Sequence, residues 1–430
     1  MISVRSRILQ FLLLSLVGIT LLNASPSGAQ PALIGLESHF YGSLLESTQY
    51  TRISADGSTA IGFHQFRFNA PDDFVAGPVV WNRTSGATLL AGDADEPPFR
   101  LYDVSADGSR FIAGGALTIG GPEQLYILQE DLAPIALGAP TDFVARDSSA
   151  YFSPDGLSIT GHTNRHELND EGLFFTARSA WRWTEASGMQ SLTNFPIRVP
   201  SDRAGTNVVG ITNHGVVYGN DYQNVTGTIS FNYPIRGARW ATPDSPEQLT
   251  DTAGSRIDGI YGISDDGSRV LGVGNIILDP ESDPIDRAPV LAVLDNTGAD
   301  DHWVLVDFRN PERGTVKAIS GDGSTVIGEL ANASTSFRFK ATVWTREGGA
   351  QTLTVLLDAL GLDLPDWDFE SALLWDVSRD GRTVLGDAFR DVGGRVGVIR
   401  QSFLLVIPEP GSGLLMGFGL AILARRRNRN

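Results

Sequence analysis

Apolar and polar residues alternate along most of this chain, and one short phrase interrupts the alternation seven times. Ile53-Ser-Ala-Asp-Gly-Ser-Thr-Ala-Ile-Gly62 recurs as Val104-Ser-Ala-Asp-Gly-Ser-Arg-Phe-Ile-Ala113 and as Phe152-Ser-Pro-Asp-Gly-Leu-Ser-Ile-Thr-Gly161. A shorter copy, Ile211-Thr-Asn-His-Gly-Val-Val-Tyr-Gly219, comes fourth. Ile263-Ser-Asp-Asp-Gly-Ser-Arg-Val-Leu-Gly272, Ile319-Ser-Gly-Asp-Gly-Ser-Thr-Val-Ile-Gly328 and Val377-Ser-Arg-Asp-Gly-Arg-Thr-Val-Leu-Gly386 complete the set. Period-two alternation on both sides of Asp-Gly predicts two strands with one buried face. Asp-Gly itself predicts a two-residue type I′ hairpin turn, whose central residues need positive φ.

Most copies continue into a second aromatic strand, as in Val79-Val80-Trp81, Ala180-Trp181-Arg182-Trp183, Ala238-Arg239-Trp240 and Ala341-Thr342-Val343-Trp344. A polar turn and a fourth short strand follow, such as Met189–Leu192 or Gln351–Leu353. Glycines 57, 108, 156, 215, 267, 323 and 381 lie 48 to 59 residues apart. Four strands at that period make one β-propeller blade. The expected fold is therefore all-β: a seven-bladed β-propeller-like repeat domain. A β-solenoid or two smaller β domains are the alternatives. Ala32–Leu36 has strand character and no partner of its own, so it is expected to complete the last blade and remove an exposed edge.

The two ends follow a different pattern. Arg5 and Arg7, the apolar run Ile8–Leu22 and the small residues Ser27-Gly28-Ala29 predict a Sec signal helix over 1–29, with Gln30 as the first mature residue. At the other end, Pro408-Glu409-Pro410 precedes an apolar run and then Arg425, Arg426, Arg427 and Arg429. Residues 411–424 would form a helix roughly 21 Å long. That is short for a bilayer core of about 30 Å, but arginine snorkelling and local thinning allow a short transmembrane helix. The basic cluster would stay cytoplasmic.

This order of motif, apolar segment and basic stop resembles the PEP-CTERM sorting signal. The resemblance implies an exosortase as a partner beside the Sec translocon and signal peptidase. It also implies an inner-membrane precursor, and a mature form at the cell surface or outside the cell. Three segments are thus expected: a signal peptide (1–29), a repeat domain (30–407) and a sorting tail (408–430). Ala180–Leu192 together with Ile211–Gly219 is similar to the extracellular HAF repeat family. Phe152-Ser-Pro-Asp-Gly resembles the repeats of TolB-type and WD-repeat propellers. Neither resemblance assigns an active site.

Composition narrows the partners. The chain has no cysteine and a formal charge of −17. Its two ends hold six arginines and one glutamate, so the body between them carries −22. A surface that acidic disfavours nucleic acid and other polyanions unless cations bridge them. Without disulfides, stability must come from a large core.

Candidate chemistry is sparse. Asp56, Asp107, Asp155, Asp266, Asp322 and Asp380, each followed by glycine (Gly57, Gly108, Gly156, Gly267, Gly323, Gly381), occupy equivalent sites in different repeats. Around a ring they would not converge as a carboxylate pair requires, so a structural turn role is expected. The motif resembles the Asp-box of sialidase propellers but lacks its Trp. His162, His166 and Glu167 have a spacing that would serve a metal on a helix, yet they read here as a loop. Acidic stretches at Asp279–Asp286, Asp300-Asp301 and Asp363–Glu370 would suit Ca²⁺ better, though no EF-hand is present. No P-loop, Rossmann glycine string or nucleophile elbow occurs in context, so no cofactor is expected. The resemblance to PEP-CTERM proteins implies an exported surface or matrix module associated with exopolysaccharide and biofilm. A secreted glycan hydrolase or lyase using the propeller channel is the alternative.

Overall fold

Each repeat is organised by the turn at its central glycine, which follows an aspartate in all copies but the fourth. In the first, strand Ser47–Ile53 pairs antiparallel with Thr59–Arg67. Between them, Gly57 N–H donates to Ser54 O at 3.0 Å and Ser54 N–H to Thr59 O at 2.8 Å. The hydrogen-bonded turn is therefore Ser54–Gly57, with Gly57 left-handed (φ +68°) at its fourth position. This corrects the expected two-residue type I′ turn. The wider loop forms because two side chains take up the N–H groups it would leave open. Ser58 N–H donates to Asp56 Oδ1 (2.9 Å) and Thr59 N–H to Ser54 Oγ (3.0 Å).

The computed structural model describes residues 31–36, 47–67, 74–90, 99–116, 123–129, 132–139, 148–168, 174–193, 203–224, 235–249, 257–274, 315–331, 339–345, 348–393 and 397–408. All of its sheets lie within one unit, Ala32–Val406. The Gly57 blade continues through Phe74–Asn82 to Gly86–Leu89, and each complete blade repeats this antiparallel order. The Gly108 blade spans Arg100 to Gly138, the Gly156 blade Ser148 to Ser191 and the Gly215 blade Arg203 to Gln248. The Gly323 blade spans Thr315 to Thr352.

A seven-bladed propeller was expected; the described residues correct this to six four-stranded blades. The Gly267 repeat contributes only the pair Ile257–Ile263 and Val270–Gly274. Its sequence is stretched by Asp279–Arg287, and residues 275–314 lie outside the described region.

The last blade is closed by the start of the chain. Trp367–Val377, Thr383–Asp391 and Val398–Val406 are joined by Ala32–Gly35, which pairs Ala32 with Val406 and Gly35 with Phe403. Leu36 adds a backbone bond to Ser402 O at 2.9 Å and is only 1% exposed. The expected closing strand is thus present, and it covers the edge of Val398–Val406.

Hydrophobic packing runs between neighbouring blades. Tyr50, Val79 and Trp81 of the Gly57 blade pack with Leu36, Leu385 and Leu404 of the last blade. Ile112 and Leu125 pack with Phe152 and Trp181, and Ala180 and Leu192 with Val208 and Trp240. Trp181 and Trp240 are fully buried by this stacking. Among the described residues one helix, Leu353–Ala359, follows directly on the strand Gly349–Thr352, so that of the expected strand Gln351–Leu353 only Leu353 turns helical. Thr352 caps it by accepting from Val355 N–H, and Leu353, Leu356 and Leu357 bury one face.

Candidate functional site

The inner strands of the repeats converge on a cavity of about 270 Å³ beside the Asp-Gly turns. One position governs its wall: the residue just before the apolar residue that opens each repeat phrase. Going round the ring from the last blade, this column reads Asp376, Arg52, Asp103, Tyr151, Gly210, Gly262 and Ala318. In six of the seven strands the ladder slips by one residue immediately before it, as between Tyr50 and Arg52 or between Leu374 and Asp376. A β-bulge of this kind bends the strand and re-aims its side chains. The strand carrying Tyr151 keeps a regular register.

The column divides the wall into two halves. Four adjacent repeats supply large functional groups, and the other three supply Gly, Gly and Ala. Asp103 Oδ2 accepts from Phe152 N–H at 2.8 Å, and Asp376 Oδ2 from Ile53 N–H at 3.1 Å. Each carboxylate therefore ties its own blade to the next one. The Arg52 guanidinium lies over the Tyr151 ring, 5.5 Å from the centroid.

Burial pushes Asp376 up to about 6, with Arg52 pulling the other way and Asp103 adding to the rise. Burial likewise raises Asp103 against the pull of Arg52. Burial opposes the charge of Arg52, yet Asp376, Tyr151 and Asp103 hold it above its ordinary value. At the rim, Asp265 faces Arg379 at 3.8 Å and Lys317 faces Glu329 at 3.8 Å. Burial raises Asp265 as well. Tyr261, at the bulge before Gly262, is 46% exposed beside the small-residue wall.

The turn aspartates stand apart from this set. Asp56, Asp107, Asp155, Asp266, Asp322 and Asp380 are exposed. Each accepts from the hydroxyl two residues earlier at 2.6 or 2.7 Å and from the N–H two residues later. These bonds bring Asp107 down to about 2, the Ser105 hydroxyl contributing most. The fourth repeat lacks the aspartate, and Thr212 Oγ1 alone accepts from Val216 N–H at 3.2 Å. The carboxylates that converge are instead Asp103 and Asp376, which the search for recurring residues passed over. A repeat alignment read for its variable column, where charged residues and Tyr on four repeats give way to Gly and Ala on three, would have found them.

The histidine string does not form a loop: His162, His166 and Glu167 continue the strand Ser158–Leu168. His162 is buried, and its Nδ1 accepts from Val208 N–H of the next blade at 3.2 Å. Among the described residues no group of three or more His, Asp or Glu is placed to hold a metal ion. Within Asp363–Glu370, Glu370 pairs with Lys340 at 3.1 Å and Asp368 Oδ1 accepts from Glu370 N–H at 3.0 Å. Asp279–Asp286 and Asp300-Asp301 lie outside the described residues, as do the signal segment 1–29, Glu409, Pro410, Arg425, Arg426 and Arg427. No described helix is long and apolar enough to cross a membrane.

Comparison with known proteins bears on the C-terminal tail and on the fold of the body. Residues 406–429 match the PEP-CTERM protein-sorting motif, which marks an exported precursor processed by an exosortase and sorted from the membrane to the cell surface. No curated protein sequence is significantly similar to the chain. The fold is similar to that of an oligogalacturonate lyase from Vibrio parahaemolyticus, with a TM-score of 0.50 at 10% identity, covering 89% of this chain and 98% of that one. It is also similar to the Pyrococcus horikoshii acylaminoacyl peptidase, with a TM-score of 0.53 at 11% identity. That match covers 86% of this chain but only 54% of the peptidase. At such identities the likeness extends to the β-propeller fold and no further.

Proposed function

We propose that the mature protein is a surface or extracellular-matrix binding module, associated with exopolysaccharide, that reaches its place through exosortase processing. The observation that carries this is the sorting motif at 406–429 attached to a closed β-propeller. Residues 1–29 act as a Sec signal removed by signal peptidase, 30–407 form the binding body, and 408–430 form the sorting tail with its short membrane helix. The charge of −22 on the body keeps it away from nucleic acid. The test is retention of the surface-released protein on its host's own polysaccharide. Absence of retention together with absence of surface exposure would sink the proposal.

One observation favours catalysis on glycans as a second reading. Asp376, held near 6 beside Asp103, has the proton affinity of a general acid working near neutrality. Against it, each of these carboxylates already holds a main-chain N–H of the neighbouring blade, which gives it a scaffold role. Reducing-end release from polysaccharide, abolished by Asp376→Asn, would establish the enzyme instead.

A further inference from the structure

We infer that the cavity at the turn side of the propeller binds a single non-ionic pyranose unit of a glycan. This rests on the binding-module function proposed above and assigns it a site. The first reason is shape. The column that lines the cavity carries bulky groups on four adjacent repeats but only Gly210, Gly262 and Ala318 on the other three, which leaves side-chain bulk missing from that part of its wall. Its volume of about 270 Å³ is below the usual range for drug-sized ligands, about 300–1,000 Å³, and suits one sugar ring rather than a chain segment.

The second reason is charge. The lining carries Arg52, Lys317 and Arg379 against Asp103, Asp265 and Asp376. An anion would meet three carboxylates and a cation three basic groups. Hydroxyl groups, which donate and accept at once, satisfy both kinds of partner. The third is Tyr261, a half-exposed ring at the edge of the small-residue wall, where the apolar face of a pyranose can rest on it.

The full chain, purified in detergent, would be titrated with D-glucose, D-galactose, D-glucuronate and D-glucosamine and followed by saturation-transfer NMR and calorimetry. At least one neutral sugar should bind, and the acidic and amino sugars should bind more weakly. Tyr261→Ala and Ala318→Leu should each weaken binding about tenfold or more without lowering the melting temperature. Preference for glucuronate or glucosamine, or equal binding by both variants and the parent, would overturn the assignment. Retention on host polysaccharide that survives both substitutions would also overturn it while leaving the binding module intact. Loss of all retention by the parent would remove both.

Discussion

Asp376 Oδ2 accepts a hydrogen bond from Ile53 N–H at 3.1 Å, across 323 residues of chain. The bond joins the last blade to the first, and Arg52 sits beside it. Another carboxylate on the last blade, the buried Asp387, accepts from Ser402 Oγ (2.5 Å), Trp375 Nε1 (2.8 Å) and Gln49 Nε2 (3.3 Å). Ser402 Oγ in turn accepts from Tyr50 N–H at 3.3 Å. The seam of the ring is thus polar as well as hydrophobic.

That chemistry sets a pH dependence. Burial raises Asp376 to about 6 and also raises Asp103, Asp265 and Asp387. Their folded forms hold protons more tightly than the unfolded chain does. This contribution is full below the ordinary carboxylate value and is lost as pH rises through the folded value. Asp56, Asp107 and Asp266 are lowered, so theirs is present above the ordinary value and lost as pH falls toward about 2. Thermal melts should therefore peak near about pH 4 and decline toward about pH 7. Asp376→Asn should flatten the upper limb. A melting temperature that climbs steadily to neutrality contradicts this assignment.

Two glycines separate backbone strain from contact between blades. Gly188 and Gly267 both have left-handed φ, +65° and +71°. A Cβ at Gly188 meets nothing within 4 Å, whereas one at Gly267 lies 2.9 Å from Thr212 Cγ2 and 3.0 Å from the Tyr218 hydroxyl of the preceding blade. Gly188→Val should cost about 1–2 kcal/mol through strain alone. Gly267→Val should cost at least about 2 kcal/mol more, because two blades must part. Equal losses in denaturant titrations would show that the blade contact contributes nothing.

Leu36 anchors the closing strand. Its side chain is buried between the first and last blades, and its carbonyl accepts from Gln401 Nε2 at 2.9 Å. Leu36→Ala should lower stability by about 2–4 kcal/mol. Deleting residues 32–36 should leave the Val398–Val406 edge open and produce concentration-dependent association in sedimentation runs. A monomeric, equally stable deletion variant would show that the strand is dispensable.

The tail is tested separately. Replacing Pro408, Glu409 and Pro410 with Ala should leave a full-length species in the inner membrane. Deleting residues 425–429 should weaken the cytoplasmic stop, since each arginine resists crossing the hydrocarbon. Immunoblots against tags at Gln30 and at the C-terminus distinguish precursor from product. Tags that remain together on the surface protein would make the tail an ordinary anchor.

Much of the fold was legible because it is written repeatedly. The seven repeat phrases, six of them with Asp-Gly, the Trp-bearing third strands and the partnerless Ala32–Leu36 each follow from period-two patterning and the need to cover edges. The channel set was hidden for the opposite reason. Arg52, Asp103, Tyr151 and Asp376 occupy a position that differs from repeat to repeat, and the bulge that aims Arg52, Asp103 and Asp376 has no residue signature of its own. Leu353–Ala359 escaped because so short an apolar run fits strand or helix equally well. The width of the Ser54–Gly57 turn depends on the hydrogen bonds of Asp56 and Ser54, which the Asp-Gly pair alone does not specify.

The pairing of Ala32 with Val406 also imposes an order of events on an exported chain. Gln401 and Leu36, which bond across this seam, are 365 residues apart. The strand that reaches the outside first must wait, unpaired, until the strand that arrives last has crossed. Closure is therefore a late, long-range step of the kind that slows folding. The sorting motif starts at the end of that last strand. A precursor held in the membrane by its tail would have time to close its ring before release, so the tail would act as a clock as well as an address.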